Sequence, residues 1–225
     1  MTKKPGGLLF DLDGTLIDTA PDMGGALNML LQQEGKPPID AATIRPHVSH
    51  GSKALVHLGF GELEPEREQS LIRRYLQCYS QCVADNSVLF EGMDSLLQSL
   101  EAQDIAWGII TNKPTRFTVP LLQSLELLDR CSALVCGDSL AVRKPAPEPI
   151  QLACQRAGLT PDSCVYVGDA ERDVHAGVAA GMRTVVMAWG YYPAHQDPRQ
   201  WGTDWICADA QELMDVCRLT GLVEA

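Results

Sequence analysis

From Phe90 to its end, the chain repeats one unit: a short apolar run, a turn, then apolar residues at helical spacing. The pattern predicts helices over Met93–Ala102, Arg116–Leu125, Pro147–Ala157, Arg172–Ala180 and Ala210–Leu219. It predicts strands over Ile105–Ile110, Ala133–Cys136, Cys164–Val167 and Thr184–Met187, with an edge strand at Ile206–Cys207. Gly158 and Gly181 stop two of the helices, and Pro120 must sit in a first turn or kink its helix. Repeated alternation of this kind requires a parallel sheet covered on both faces, an α/β fold. Such sheets bind ligands at the carboxyl ends of their strands. Chemistry is therefore to be sought just after each predicted strand.

The first strand lies outside the repeat. Leu8-Leu9-Phe10 is an apolar run that leads into Asp11-Leu12-Asp13-Gly14-Thr15. Side chains alternate along a strand, so Asp11 and Asp13 project the same way. Two adjacent carboxylates shielded from water repel unless a cation compensates, which suits a metal site. Read in isolation, the same residues are an acidic turn. Between this strand and the repeat, residues 20–88 show helical stripes at Pro21–Gln33, Ala41–Val48, Ser52–Gly59 and Pro65–Val83, and no convincing strand. They read as a small helical domain inserted after the first strand.

Three further groups stand at strand ends. Thr111-Asn112 follow Ile105–Ile110; a hydroxyl and backbone N–H groups there suit phosphoryl oxygens, although a plain strand-ending turn looks the same. Lys144 precedes Pro145-Ala146-Pro147, which restricts its approach; without context it is a solvated loop lysine. Asp169 follows Gly168, and Asp173 lies four residues on, either as metal-site acids or as a helix cap and a dipole partner.

In that order, D-x-D-G-T, Thr-Asn, K-P-x-P and G-D-x-x-x-D make the chain resemble the haloacid dehalogenase superfamily of phosphohydrolases. The span covers nearly the whole sequence. Ala170 stands where relatives often carry Ser or Thr, so a hydroxyl role there is missing. Within the superfamily the chain is similar to the phosphoglycolate phosphatase group. It is especially similar to bacterial phosphatases of N-acetylmuramic acid 6-phosphate, through GMDSLLQSLEAQDIAWGIITNKPTRF and WGYYP…DPRQWGTDW. The resemblance implies a Rossmann-like core from residues 1–18 and 89–225, and a helical cap from 19–88.

It also implies a mechanism. Asp11 is the nucleophile that forms an aspartyl phosphate, and Asp13 the general acid and base. Lys144 neutralises charge, while Thr111 and Asn112 hold phosphoryl oxygens. Mg²⁺ is bound by Asp11, the main-chain carbonyl of Asp13 and Asp169, with Asp173 behind. The expected substrate is a small carboxylated phosphomonoester, N-acetylmuramic acid 6-phosphate (of peptidoglycan recycling) or 2-phosphoglycolate. In the cap, Gly51 permits a tight turn, and Lys53 is either a carboxylate-binding residue or a solvated lysine at a helix start. Arg45, His195 and the four tryptophans have no assigned role beyond packing. A sugar-phosphate mutase would share the motifs. A dehalogenase would not need Asp13, and a non-catalytic binding module would be expected to lose some of Asp11, Asp13, Lys144 and Asp169.

Composition narrows the setting. A net charge of −11 argues against a nucleic-acid partner, and requires that local cations reverse the field at an anion site. No apolar run reaches membrane-span length, and Asp11 and Asp13 interrupt any leader-like segment after MTKKPGG, so a cytoplasmic location is expected. Eight cysteines read as reduced, buried thiols; Cys78 and Cys82 lack a second pair for zinc. Nothing here specifies an oligomeric state.

Overall fold

Leu8, Leu9 and Phe10 are all fully buried, which only a central strand covered on both faces allows. They belong to β1 (Gly7–Phe10) in the computed structural model, which describes residues 6–223. The outermost parts of the expected core, residues 1–5 and 224–225, lie outside the described residues, as does most of MTKKPGG. After β1 the chain forms β2 (Ile17–Asp18) and then helices α1 (Ala20–Gln33), α2 (Ala41–Ile44), α3 (Gly51–Phe60) and α4 (Pro65–Tyr79). It returns through β3 (Val88–Leu89) to α5 (Met93–Glu101), β4 (Ala106–Ile110), α6 (Thr115–Ser124) and β5 (Ala133–Val135). The last stretch is α7 (Glu148–Ala157), β6 (Val165–Gly168), α8 (Glu171–Ala179), β7 (Arg183–Met187), β8 (Trp205–Cys207) and α9 (Ala210–Leu219).

Six strands form one parallel sheet in the order β5-β4-β1-β6-β7-β8. Strand β1 pairs with β4 on one side and β6 on the other, so the winding reverses at its carboxyl end and opens a crevice there. Leu8 and Phe10 face one layer, with Trp107, Ile109, Val165 and Val167. Leu9 faces the other, with Ile110, Tyr166 and Ala153. This is the Rossmann-like core expected from the alternation. Pro120 stands in the second turn of α6 rather than the first.

The inserted helices have their own apolar cluster, in which Leu27, Leu30, Leu55, Val56, Leu71 and Tyr75 are fully buried. The continuous helix expected over Ala41–Val48 is instead α2 followed by a 3₁₀ turn, Arg45–His50. Pro46 has no N–H to donate to the preceding turn, so the α-helix cannot run through it. The expectation of no strand within residues 20–88 also needs correction. Val88 and Leu89 pair antiparallel with Asp18 and Ile17, making a two-stranded neck where the chain leaves and re-enters the core. Two-residue strands are too short to show any period.

Asp22 holds the returning chain at this neck. Its buried carboxylate accepts from the Asn86 and Ser87 amides at 2.9 and 2.8 Å, the Asn86 side chain at 3.0 Å and the Ser87 hydroxyl at 2.6 Å. Asp22→Ala strips all four donors of their acceptor. Ser87 is buried and Asn86 is exposed, so the two Ser87 donors carry the cost, an expected destabilisation of about 3 kcal/mol at about 1–3 kcal/mol per orphaned buried donor. Urea unfolding measures this; a loss below about 1 kcal/mol would show that water replaces the carboxylate.

Candidate active site

Asp11 continues β1 into the crevice, where its N–H donates to the Val167 carbonyl at 2.8 Å. The turn beyond depends on Gly14. Its φ is +87°, and a Cβ there would lie 2.4 Å from Asp169 Oδ2, so only glycine lets the loop approach. Asp11 is 3% exposed, and one of its oxygens meets Lys144 Nζ at 2.7 Å. Lys144 is held from all sides. Its ammonium also donates to Asp173 Oδ1 at 2.7 Å and to the Tyr166 hydroxyl at 2.9 Å. The Asn112 side chain grips its backbone, donating to the Lys144 carbonyl at 3.0 Å and accepting from its N–H at 3.1 Å. The Asn112 side chain is thus used in positioning Lys144, which leaves its main-chain N–H as the group suited to a phosphoryl oxygen.

Asp11, Asp169 and Asp173 are all buried, with ligand oxygens within 4.8 Å of one another. Burial raises Asp11 to about 6, Lys144 only partly opposing it. Burial, then the Asp11 and Asp173 charges, raises Asp169 to about 7. Burial would raise Asp173 too, but Lys144 and Arg172 outweigh it and hold that carboxyl below its usual range. Asp169 Oδ2 accepts from the Tyr191 N–H and the Ser49 hydroxyl, both at 2.8 Å. Its Oδ1 is buried without a hydrogen-bond partner. An orphaned carboxylate oxygen beside a second carboxylate suits a hard divalent cation. Asp173 fits a supporting place, since Lys144 takes one oxygen and the Ala170 N–H, 3.1 Å away, the other.

Asp13 points to the cap side. Its Oδ1 accepts from the Thr19 hydroxyl and from Lys113 Nζ, each at 2.7 Å. Lys113 was missed in the sequence. It sits two residues after Thr111, whose hydroxyl oxygen accepts from the Lys113 N–H at 3.1 Å. The available signal was a lysine in phase with Thr111 at a strand end. Burial works against this ammonium's charge, but Asp13 and then Tyr79 outweigh it and hold its pKa above the ordinary lysine value. Arg172 was missed as well. Desolvation opposes its charge, and the surrounding Asp173, Asp11 and Asp169 more than compensate.

The inserted helices contribute the Arg45–His50 turn. Gly51, at φ +78°, turns the chain from it into α3, in a place open enough for a Cβ. Ser49 reaches Asp169, a contact that sequence reasoning did not anticipate. Lys53 lines the same cavity, but its ammonium is 3.0 Å from Glu68 and its side chain is 66% exposed. Arg45 pairs with Asp18 at 3.0 Å, lying 4.8 Å from the centre of the Tyr191 ring. Tyr191 donates its hydroxyl to Asp18 at 2.5 Å and its N–H to Asp169. One residue thus ties the neck to the acidic cluster. The WGYYP segment that carries it also stacks Trp189 on Phe90 at 4.9 Å. A cavity of about 450 Å³ lies between the inserted helices and the sheet, lined by Asp11, Asp13, Thr111, Lys113 and Arg172 from the core and by Ser49, His50 and Lys53 from the insertion. The eight cysteines are free thiols, none in the acidic cluster.

The sheet order, the crevice at β1 and the carboxylate–lysine floor define a doubly wound α/β protein with a buried acidic site at its switch point. Residues 8–187 match the family model described as haloacid dehalogenase-like hydrolase, and the chain belongs to that family. Among its relatives is a phosphoglycolate phosphatase of Xanthomonas campestris, 41% identical over 94% of this chain and 96% of that one. Another is an N-acetylmuramic acid 6-phosphate phosphatase of Pseudomonas putida, 40% identical over 93% and 94%. A crystal structure described as a predicted phosphoglycolate phosphatase from Haemophilus somnus superposes with a TM-score of 0.83 at 26% identity, covering 96% of this chain and 99% of that one.

Proposed function

We propose that the chain is a Mg²⁺-dependent phosphomonoesterase for a small carboxylated phosphometabolite, 2-phosphoglycolate or N-acetylmuramic acid 6-phosphate. The observation that carries this reading is Asp11 at the cavity floor, 2.7 Å from the buried Lys144 and beside an Asp169 oxygen with no other partner. The relatives named for these two substrates support the choice of substrates.

A carboxylate of Asp11 attacks phosphorus as the bond to the ester oxygen breaks. Lys144 withdraws charge from the phosphoryl oxygens, and the Thr111 hydroxyl and Asn112 N–H hold them in place. Asp13 gives its proton to the departing alkoxide. It then takes one from the water that attacks the aspartyl phosphate, which releases phosphate and restores Asp11. Asp13 has one oxygen tethered by Thr19 and Lys113, and its Oδ2 has no partner among the described residues, which suits a group that must exchange protons. Asp11, the Asp13 carbonyl and Asp169 would hold Mg²⁺, with Asp173 behind. The ion supplies the positive charge that lets an anionic nucleophile approach an anionic ester.

Residues 19–88 serve as the cap over the core of 1–18 and 89–225, excluding bulk water when it closes. Gly51 and Lys53 stand at its cavity-facing turn. No helix among the described residues is long and apolar enough to cross a membrane. A reducing cytoplasm suits eight free thiols. The test is a phosphate-release screen with Mg²⁺ over 2-phosphoglycolate, N-acetylmuramic acid 6-phosphate and hexose phosphates. Release from the carboxylated esters is expected. No release from any of them would overturn the reading, and turnover of a bisphosphate without net phosphate release would favour a mutase.

A further inference from the structure

We infer that Lys113 is the residue that recognises a carboxylate bonded directly to the ester carbon. This inference rests on the phosphomonoesterase reading above. In 2-phosphoglycolate one CH₂ separates the ester oxygen from the carboxyl carbon. The ester oxygen must come within hydrogen-bond reach of Asp13, the group that protonates it. Lys113 Nζ is 2.7 Å from Asp13, so a carboxylate so close to the ester falls beside this ammonium.

The other cations on the cavity wall are engaged elsewhere. Arg172 is surrounded by Asp173, Asp11 and Asp169, on the phosphate side. Arg143 donates to the Gly137 carbonyl at 2.6 Å. Lys53 pairs with Glu68 at the rim. His50 is held below its usual pKa by burial and by Arg172, which favours the uncharged ring.

Lys113, by contrast, has donors to spare. Its side chain is 5% exposed, and its strong partner is Asp13 alone. Its other contacts are weak acceptors, Met23 Sδ at 3.7 Å and the face of the Tyr79 ring at 4.8 Å. An ammonium with two of three N–H groups on soft partners gains most when a carboxylate arrives. In N-acetylmuramic acid 6-phosphate the lactyl carboxylate sits across the sugar ring from the ester. It lies too far for Lys113 and is better placed for the rim, where Lys53 stands.

The test compares 2-phosphoglycolate with ethyl phosphate, which has a methyl group in place of the carboxylate. The wild-type chain is expected to favour 2-phosphoglycolate in kcat/KM by roughly ten-fold or more, the scale of a charged contact. Lys113→Met and Lys113→Gln should each collapse that ratio, mainly through KM for 2-phosphoglycolate, with Lys113→Arg restoring part of it. Thermal unfolding checks that each variant is folded. Equal losses on both esters would mean that Lys113 acts only through Asp13, and would overturn the inference while leaving the phosphatase reading intact. So would a ratio that collapses in Lys53→Ala and survives in Lys113→Met. A wild-type chain that does not distinguish the two esters overturns it without any variant. A wild-type chain that releases phosphate from neither ester nor from any other phosphomonoester overturns the phosphatase reading instead.

Discussion

Asp11→Asn is expected to abolish phosphate release, by roughly 10⁴-fold or more, while leaving the protein folded. The amide has the shape of the carboxylate but lacks the charge that attacks phosphorus. Its environment makes the substitution mild for the fold. Burial raises Asp11 to about 6, so at neutral pH the ionised carboxylate is held against its desolvation. Removing the charge removes that penalty, and it lowers the repulsion on Asp169, to which Asp11 contributes. Lys144 keeps two partners, Asp173 and Tyr166. The thermal midpoint should therefore be no lower than that of the wild type. A folded Asp11→Asn protein turning over near the wild-type rate would sink the nucleophile assignment. Loss of activity together with collapse of the fold would make Asp11 a structural residue.

Removing the divalent cation should have a comparable effect. Chelation is expected to stop turnover and added Mg²⁺ to restore it, since the floor carries three buried carboxylates with Lys144 and Arg172 against them. A second readout is independent of catalysis. Mg²⁺ should raise the thermal midpoint, by about 2.7 kcal/mol of stability at a hundred times Kd. The effect must depend on pH in one direction. Asp11 and Asp169 have folded-state values raised to about 6 and about 7. A raised carboxyl contributes stability that is fully present below its unfolded value, near 4, and is lost as pH climbs through 6 to 7. In the metal-free protein these two groups therefore favour the fold most when protonated. A cation must displace those protons, so its affinity falls below pH 7 and its stabilisation is largest above it. Melting curves with and without Mg²⁺ at pH 5 and pH 8 test this, with calorimetry in two buffers to detect proton release. Equal shifts at both pH values would show that the cation displaces no proton from Asp11 or Asp169, and full activity in a verified metal-free preparation would remove the metal from the mechanism.

Local physics made the sheet legible. Apolar runs of strand length and helical stripes are properties of neighbouring residues, so β1, β4, β6 and β7 could be read directly, and with them the positions of Asp11, Thr111 and Asp169 just past strand ends. Once the sheet is parallel, those ends lie on one side and bring Asp11, Thr111 and Asp169 together; Lys144 joins them only through the resemblance, since without it the residue reads as a solvated loop lysine. What it could not show is which oxygen meets which donor. The Asn112 side chain has no role in the sequence reading, which uses backbone N–H groups there, until the fold presents the Lys144 backbone to it. Lys113 has no role in the sequence reading and gains one only where the fold sets Asp13, itself held by Thr19, against its ammonium. Ser49 and Asp169 are 120 residues apart, and Tyr191 and Asp18 are 173 apart. Contacts at such separations leave no trace in local periodicity. The first exists because a helical insertion folds back over the crevice, the second because the WGYYP segment packs against the neck, and only tertiary packing sets where each lands.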